Sequence, residues 1–321
     1  MRAIVFDRPG DESVLRIGDV ERPALAGGAM RIRVHATAIN RADLLQREGH
    51  YPPPPGASPI LGLECAGDVI EVAADVNGWR KGDRVMALLP GGGYADEAVV
   101  DAGSAIRIPD ALSWEEAGAM PEVFLTAYLN VFELGRAKRG ETLLIHGGGS
   151  GVGTAATTLA KLAGLRVIVT AGSKEKCDRC LAHGADMAIN YHEEDFVQRA
   201  QGSDIILDHI GAQYLPRDLQ ALAVGGRVVL IGTMGGRGNV EIDVGSLLAK
   251  RQQIIGSHLR GRSKEEKASI VDGFVRRFGD DLRAGRVRPV IDRVFPLEQA
   301  AEAHRRMKSS ENFGKIVLRV D

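Results

Sequence analysis

The stretch TLLIHGGGSGVGTAATTLAKLAG, residues 142–164, decides the fold. Leu143, Leu144 and Ile145 make a short apolar run of the kind a fully buried strand needs, and the segment from Thr154 reads as a helix. Between them lie His146 and a glycine-rich loop, Gly147 to Gly153. A strand–glycine–helix sequence is where a dinucleotide fold places residues without Cβ, because the backbone must approach a pyrophosphate. The helix N-terminus then offers N–H donors and positive potential. The strict GxGxxG spacing is absent, and Gly147-x-x-Ser150-x-x-Gly153 stands in its place. Alone, such a loop is also compatible with a tight turn; its context favours nucleotide binding.

That context lies downstream. RVIVTAG reads as a second strand, KCDRCLAHG as a helix, AIN as a strand and FVQRAQG as a helix. DIILDHIG, LQALAVGG and RVVLIGT continue the alternation, which predicts a doubly wound parallel sheet. Upstream the pattern differs. RIRVHATAIN, AGDVIEVAADV, DRVMAL and YADEAVVD read as short strands, giving a β-rich domain, and YPPPPGASP must be loop because proline lacks a donor. FLTAYLNVFEL is helical, with Gly135 as its stop. Towards the C-terminus, Ile270, Val271, Phe274, Val275 and Phe278 mark an amphipathic helix, and a closing strand KIVLRV returns to the first domain. The fold class is therefore α/β, a doubly wound domain at 123–263 inserted into a β-rich domain at 1–122 and 264–321.

The second strand bears on cofactor choice. NAD enzymes place an acid about 20 residues past the glycine loop to hold the ribose 2′-OH. Here the strand ends Ala171-Gly172-Ser173-Lys174-Glu175-Lys176, with no acid at its end. A small, hydroxyl-bearing, basic stretch suits a 2′-phosphate, so NADPH is expected over NADH. Gly232-Thr233-Met234 follows a later strand, where ligands lie in such sheets.

Composition excludes other classes. The formal net charge of −1 gives no basic field for nucleic acid, and no apolar run is long enough to span a bilayer. No secretory leader is visible, and three cysteines without a regular framework fit a reducing compartment, so the cytoplasm is expected. Cys177 and Cys180 form a CxxC without a second Cys/His pair, and are read as two helix positions rather than a redox or zinc site.

Asn40-Arg41-Ala42-Asp43, Gly62-Leu63-Glu64, Gly82-Asp83-Arg84-Val85, the 146–153 loop, Asn190-Tyr191, Asp208, Gly225-Gly226-Arg227 and Gly314-Lys315-Ile316-Val317 together carry a resemblance. The chain resembles the zinc-independent quinone oxidoreductases of the medium-chain dehydrogenase/reductase family, over essentially its whole length. The resemblance implies a GroES-like catalytic domain, an inserted Rossmann domain, and hydride transfer from NADPH to a quinone or similar conjugated carbonyl. Zinc-dependent relatives have Cys where Asn40 stands and His where Leu63 stands, so no metal is expected.

By the same resemblance, Ser173, Lys176 and Tyr191 hold the adenosine-phosphate end, and Ser150, Gly151 and Val152 lie along the pyrophosphate. Asn40, Tyr51 and Thr126 face the nicotinamide, His258 and Leu259 meet its carboxamide, and Asn312 and Lys315 close over the cofactor. Asn40 and Tyr51 are the candidates to stabilise a developing oxyanion, with Tyr51 serving either as donor or as pocket wall. Asp43 is read as a structural carboxylate. An enoyl or alkenal double-bond reductase and a non-enzymatic NADPH-binding protein remain alternatives. Relatives suggest a homodimer or homotetramer built through the sheet edge at 253–257.

Overall fold

A computed structural model of the chain describes residues 1–320. Two compact units emerge, Met1–Leu125 with the chain from Leu259 on, and Thr126–His258. These boundaries fall a few residues from those read in the sequence, and Leu259 falls in the first unit.

The second unit is built on six parallel strands. Their spatial order is Met187–Asn190, Arg166–Ala171, Thr142–Ile145, Ser203–Asp208, Leu222–Leu230 and Gln253–Gly256. The first strand in the chain thus lies inside the sheet and the order reverses beside it, which is the Rossmann arrangement. Both faces are buried, as alternation requires. Leu144, Ile168, Ile206 and Val228 pack with Phe196, Leu215 and Leu219 on one side. Their neighbours Leu143, Val167, Ile205 and Val229 are equally buried on the other.

In the first unit, a sheet runs from Ile291–Pro296 through Lys315–Arg319, Ala29–Ala38, Glu64–Val72 and Arg84–Leu88 to Ala105–Arg107. Glu97–Asp101 also pairs with Ala29–Ala38. The C-terminal strand Lys315–Arg319 joins Ala29–Ala38 antiparallel, so the end of the chain completes the domain that its beginning starts. The helix Lys264–Arg283 buries Ile270, Val271, Phe274 and Phe278, and Ser263 caps its first turn.

Two elements differ from the sequence reading. Arg41–Arg47 is a short helix to which the sequence reading assigned no element. The helix at Pro121–Tyr128 continues as wider turns over Leu129–Leu134, where the Gly135 N–H reaches back to Asn130 at 2.9 Å. Gly135 ends this run by close contact, since a Cβ there would lie 2.7 Å from the Asn130 and Val131 oxygens. No helix among the described residues is long and apolar enough to cross a membrane.

Arg227 fastens these wider turns to the sheet. It donates from Nε to Gly135 O at 2.6 Å and from Nη2 to Arg136 O at 3.1 Å. It also forks onto Glu141 at 3.1 and 2.8 Å. Removing a buried guanidinium strands its carboxylate and carbonyl partners. Arg227→Ala should lower stability to urea by about 3 kcal/mol; an unchanged unfolding midpoint would contradict this account.

Candidate active site

In the second unit, nearly all the sequence-selected residues follow the carboxyl ends of the parallel strands, and so share one edge of the sheet. Ser150 caps the helix Gly151–Leu162 by accepting from the Gly153 N–H at 3.0 Å. The N–H groups of Gly151 and Val152 lie in the first turn, where no helical partner exists. Gly147 has φ of +65° and lies against the His209 ring, so both conformation and space demand glycine.

At the next strand end, Ser173 caps the helix Lys174–Ala182 by accepting from Lys176 N–H at 3.2 Å. Its hydroxyl proton is left over for another acceptor. Gly172 lets Tyr191 come close, since a Cβ there would lie 2.5 Å from the phenol oxygen. Gly172, Ser173, Lys176 and Tyr191 are therefore gathered at one point, and Tyr191 is exposed. Gly232, Thr233 and Met234 form a loop bound to the end of the neighbouring strand Ser203–Asp208 through Met234 N–H to His209 O at 3.0 Å. Thr126 is buried, and its carbonyl accepts from Asn130 Nδ2 at 2.7 Å. His258 is exposed beyond the edge strand Gln253–Gly256. Cys177 and Cys180 are buried, and burial pushes the Cys180 thiol up to about 12, far from the thiolate that redox chemistry needs.

His146 is sealed in this unit. Its Nε2 meets Asp218 Oδ1 at 2.9 Å and its Nδ1 meets Thr170 Oγ1 at 3.1 Å. Burial holds its ring down to about 4, and raises Asp208 to about 6.

The first unit holds a second polar cluster. Lys315 Nζ donates to Ile39 O at 3.0 Å, Asn40 Oδ1 at 2.7 Å and Glu64 Oε1 at 2.8 Å. An ammonium has three protons, and all three are used. Asn40 in turn donates both amide protons, to Glu64 Oε1 at 2.9 Å and Ala38 O at 3.3 Å. Every proton of the Lys315 ammonium and of the Asn40 amide is thus engaged within this cluster. Both are spent on Glu64 because that carboxylate is fully buried and must be satisfied.

Asp43, expected to be structural, is so. It accepts from Asn40 N–H at 2.7 Å, Gly62 N–H at 3.1 Å and Tyr94 Oη at 3.1 Å, and burial pushes it up to about 6. Behind Tyr94 stands His304, with Nε2 at 3.3 Å, and behind that Arg47, 3.0 Å from Nδ1. Arginine only donates, so Nδ1 accepts and Nε2 carries the proton. Burial, then Arg47, hold His304 down to about 3.

Tyr51 is partly buried, and Arg260 lies 5.1 Å over its ring. Arg260 is itself anchored to Pro90 O at 2.8 Å and Gln46 Oε1 at 2.6 Å. Burial, then the nearby Glu122, raise the Tyr51 phenol, which keeps it a neutral donor. Asn312 is buried, with one amide proton on Gly314 O at 2.9 Å. Among the described residues, no group of three His, Cys, Asp or Glu side chains is placed to hold a metal ion. With an engaged amide at position 40 and an alkyl group at 63, the donor set does not fit zinc. Glu64, Glu122, His209 and Arg260 were not selected from sequence as site residues, although Glu64 stood in a quoted motif and His209 in the stretch DIILDHIG.

Comparison with known proteins agrees with this architecture. The family description "Alcohol dehydrogenase GroES-like domain" matches residues 26–110, and "Zinc-binding dehydrogenase" matches 183–318. Rat quinone oxidoreductase is 34% identical over 99% of this chain and 97% of its own length. The crystal structure of an NAD-dependent alcohol dehydrogenase superposes with a TM-score of 0.85 at 32% identity, covering 100% of both chains. Escherichia coli quinone oxidoreductase complexed with NADPH gives 0.86 at 28% identity, over 99% of this chain and 100% of that one. The chain belongs to the medium-chain dehydrogenase/reductase family of oxidoreductases, with a GroES-like and a Rossmann-type domain.

Both deeply buried histidines are predicted to stay neutral across the range where an ordinary imidazole, with a pKa of about 6.5, takes a proton. In an NMR titration from about pH 8 to about pH 5, the His146 and His304 ring signals should not move. A midpoint near 6.5 for either would contradict the buried networks drawn above.

Proposed function

We propose that this oxidoreductase uses NADPH to reduce a quinone or a similar conjugated carbonyl, without a catalytic metal. The cofactor reading rests on the strand end at Ala171. A 2′-phosphate there would meet the Ser173 hydroxyl, Lys176 and the Tyr191 phenol, with no carboxylate at the strand terminus to repel it. The pyrophosphate would lie on the Ser150-capped helix, at the N–H groups of Gly151 and Val152. Gly153 would border it from the same first helical turn, and Gly147, Gly232, Thr233 and Met234 from the loops at the strand ends. Thr126, His258, Leu259 and Asn312 are proposed for the nicotinamide end.

The bound nicotinamide supplies the hydride. The chain's own contribution is orientation and proton donation. With the Asn40 amide spent on Glu64, Tyr51 is the donor for the developing oxyanion, its ring held by Arg260. The quinone assignment is supported by the 34% identity to rat quinone oxidoreductase over nearly the whole chain. The same reading places the protein in a reducing compartment and pairs two copies through the edge strand Gln253–Gly256.

Ser173→Asp tests the phosphate site cleanly, because Asp is also a good helix cap and preserves the fold. Combined with Lys176→Ala, it should weaken NADPH about a hundredfold while leaving NADH nearly unchanged, read by cofactor fluorescence. Equal losses for both would remove the site. Acceptor choice is decided by rates on ortho-quinones and enones with each cofactor in parallel. Quinones should lead; faster enone reduction would reassign the chain as a double-bond reductase, and no turnover would leave a nucleotide-binding protein.

A further inference from the structure

Donor counting in the first unit leaves one requirement unmet. Hydride addition to a conjugated carbonyl leaves an oxyanion, which must gain a proton before release. Lys315 and Asn40 have spent their protons. Tyr51 can donate a hydrogen bond, but burial and Glu122 disfavour its phenolate, so it is a poor source of the proton itself.

Glu122 stands in the first turn of the helix Pro121–Tyr128. Its backbone N–H donates to Glu64 Oε2 at 2.9 Å, which ties its position to the Lys315–Asn40–Glu64 cluster. Its own carboxyl is in a different state from its neighbours. Glu64 and Asp43 are sealed and bonded, whereas Glu122 remains partly open. Among the described residues no side chain or backbone group donates to that carboxyl, and no cation forms an ion pair with it. The charged and titratable groups that sense it are Glu64, Asp43, Lys315, Arg260, Lys267 and Tyr51.

The geometry, a partly open carboxyl tied through its own backbone to the Lys315–Asn40–Glu64 cluster, points to Glu122 as the general acid that protonates the reduced carbonyl oxygen. This rests on the function proposed above. Burial, then repulsion by Glu64, push the carboxyl up to about 8, and Lys315 and Arg260 only partly oppose them. The carboxyl therefore holds its proton, and is uncharged, at neutral pH. The hydride and its electron pair come from the reduced nicotinamide, which is oxidised as the carbonyl compound is reduced. The Glu122 O–H bond breaks, an O–H bond forms on the substrate oxygen, and the carboxylate regains a proton from water through its open side.

Glu122→Gln keeps the shape and removes the proton. In the wild-type protein, kcat should fall as pH rises through about 8, since the acid form is the active one. In the variant, kcat should be about a hundredfold lower and flat across that range, with cofactor affinity within about twofold of wild type by fluorescence. Wild-type kcat with the same alkaline limb in the variant would overturn the assignment alone. If the wild-type protein reduces no acceptor, the functional reading fails and takes this step with it. Carbon NMR of the wild-type protein labelled at glutamate carboxyls gives a reading independent of turnover and of variant folding. One carboxyl titrating near 8 is expected, and titration of all of them near 4.5 would overturn the proposal.

Discussion

Lys315 is the constraint on which the first unit's site depends. Its ammonium is almost wholly removed from water, a costly placement unless every proton is used. Three oxygens meet that demand, and each comes from a different level of the structure: a backbone carbonyl at Ile39, an amide at Asn40 and a carboxylate at Glu64. The lysine itself opens the C-terminal strand, which pairs with the strand leading into Asn40. One cation therefore joins the last strand, the central strand and the start of Glu64–Val72 at a single point. Removing it would leave Glu64 buried and uncompensated, a loss of about 3–5 kcal/mol for such pairs.

Asp43 carries the same logic one layer back. Its carboxylate holds the Asn40 and Gly62 N–H groups together, fixing the segments that carry Asn40 and Leu63. The Arg47–His304–Tyr94 chain orients it from behind. In zinc-dependent relatives, by the resemblance, a metal draws these two segments together. Here the hydrogen bonds that Asp43 accepts from Asn40 and Gly62 draw the same two segments together, and their burial keeps them rigid.

Much of the fold was legible because its signals are local. The glycine loop at 147–153, the alternation after it and the apolar stripe at Ile270 to Phe278 each lie within a few turns of chain. The missing acid after Ala171 was equally local. The helix at Arg41–Arg47 escaped because only seven residues form it, and Asp43, which starts it, also serves Gly62 and Tyr94. The wider turns at Leu129–Leu134 escaped because they are held by Arg227, roughly a hundred residues on, rather than by their own sequence.

Glu122 shows why a site is harder to read than a fold. In sequence it is an acid after a proline at a helix start, an ordinary place for a carboxylate near positive backbone groups. What changes its chemistry is distant in the chain: burial, and a second carboxylate at Glu64 that its own backbone N–H holds close. The same Glu64 also consumes the donors of Lys315 and Asn40. A single buried carboxylate thus engages the amide of Asn40, one of the two donors that the sequence favoured, and adds to burial in raising the carboxyl it overlooked. The proton economy of this site follows from where charge is sealed, which only the folded chain defines.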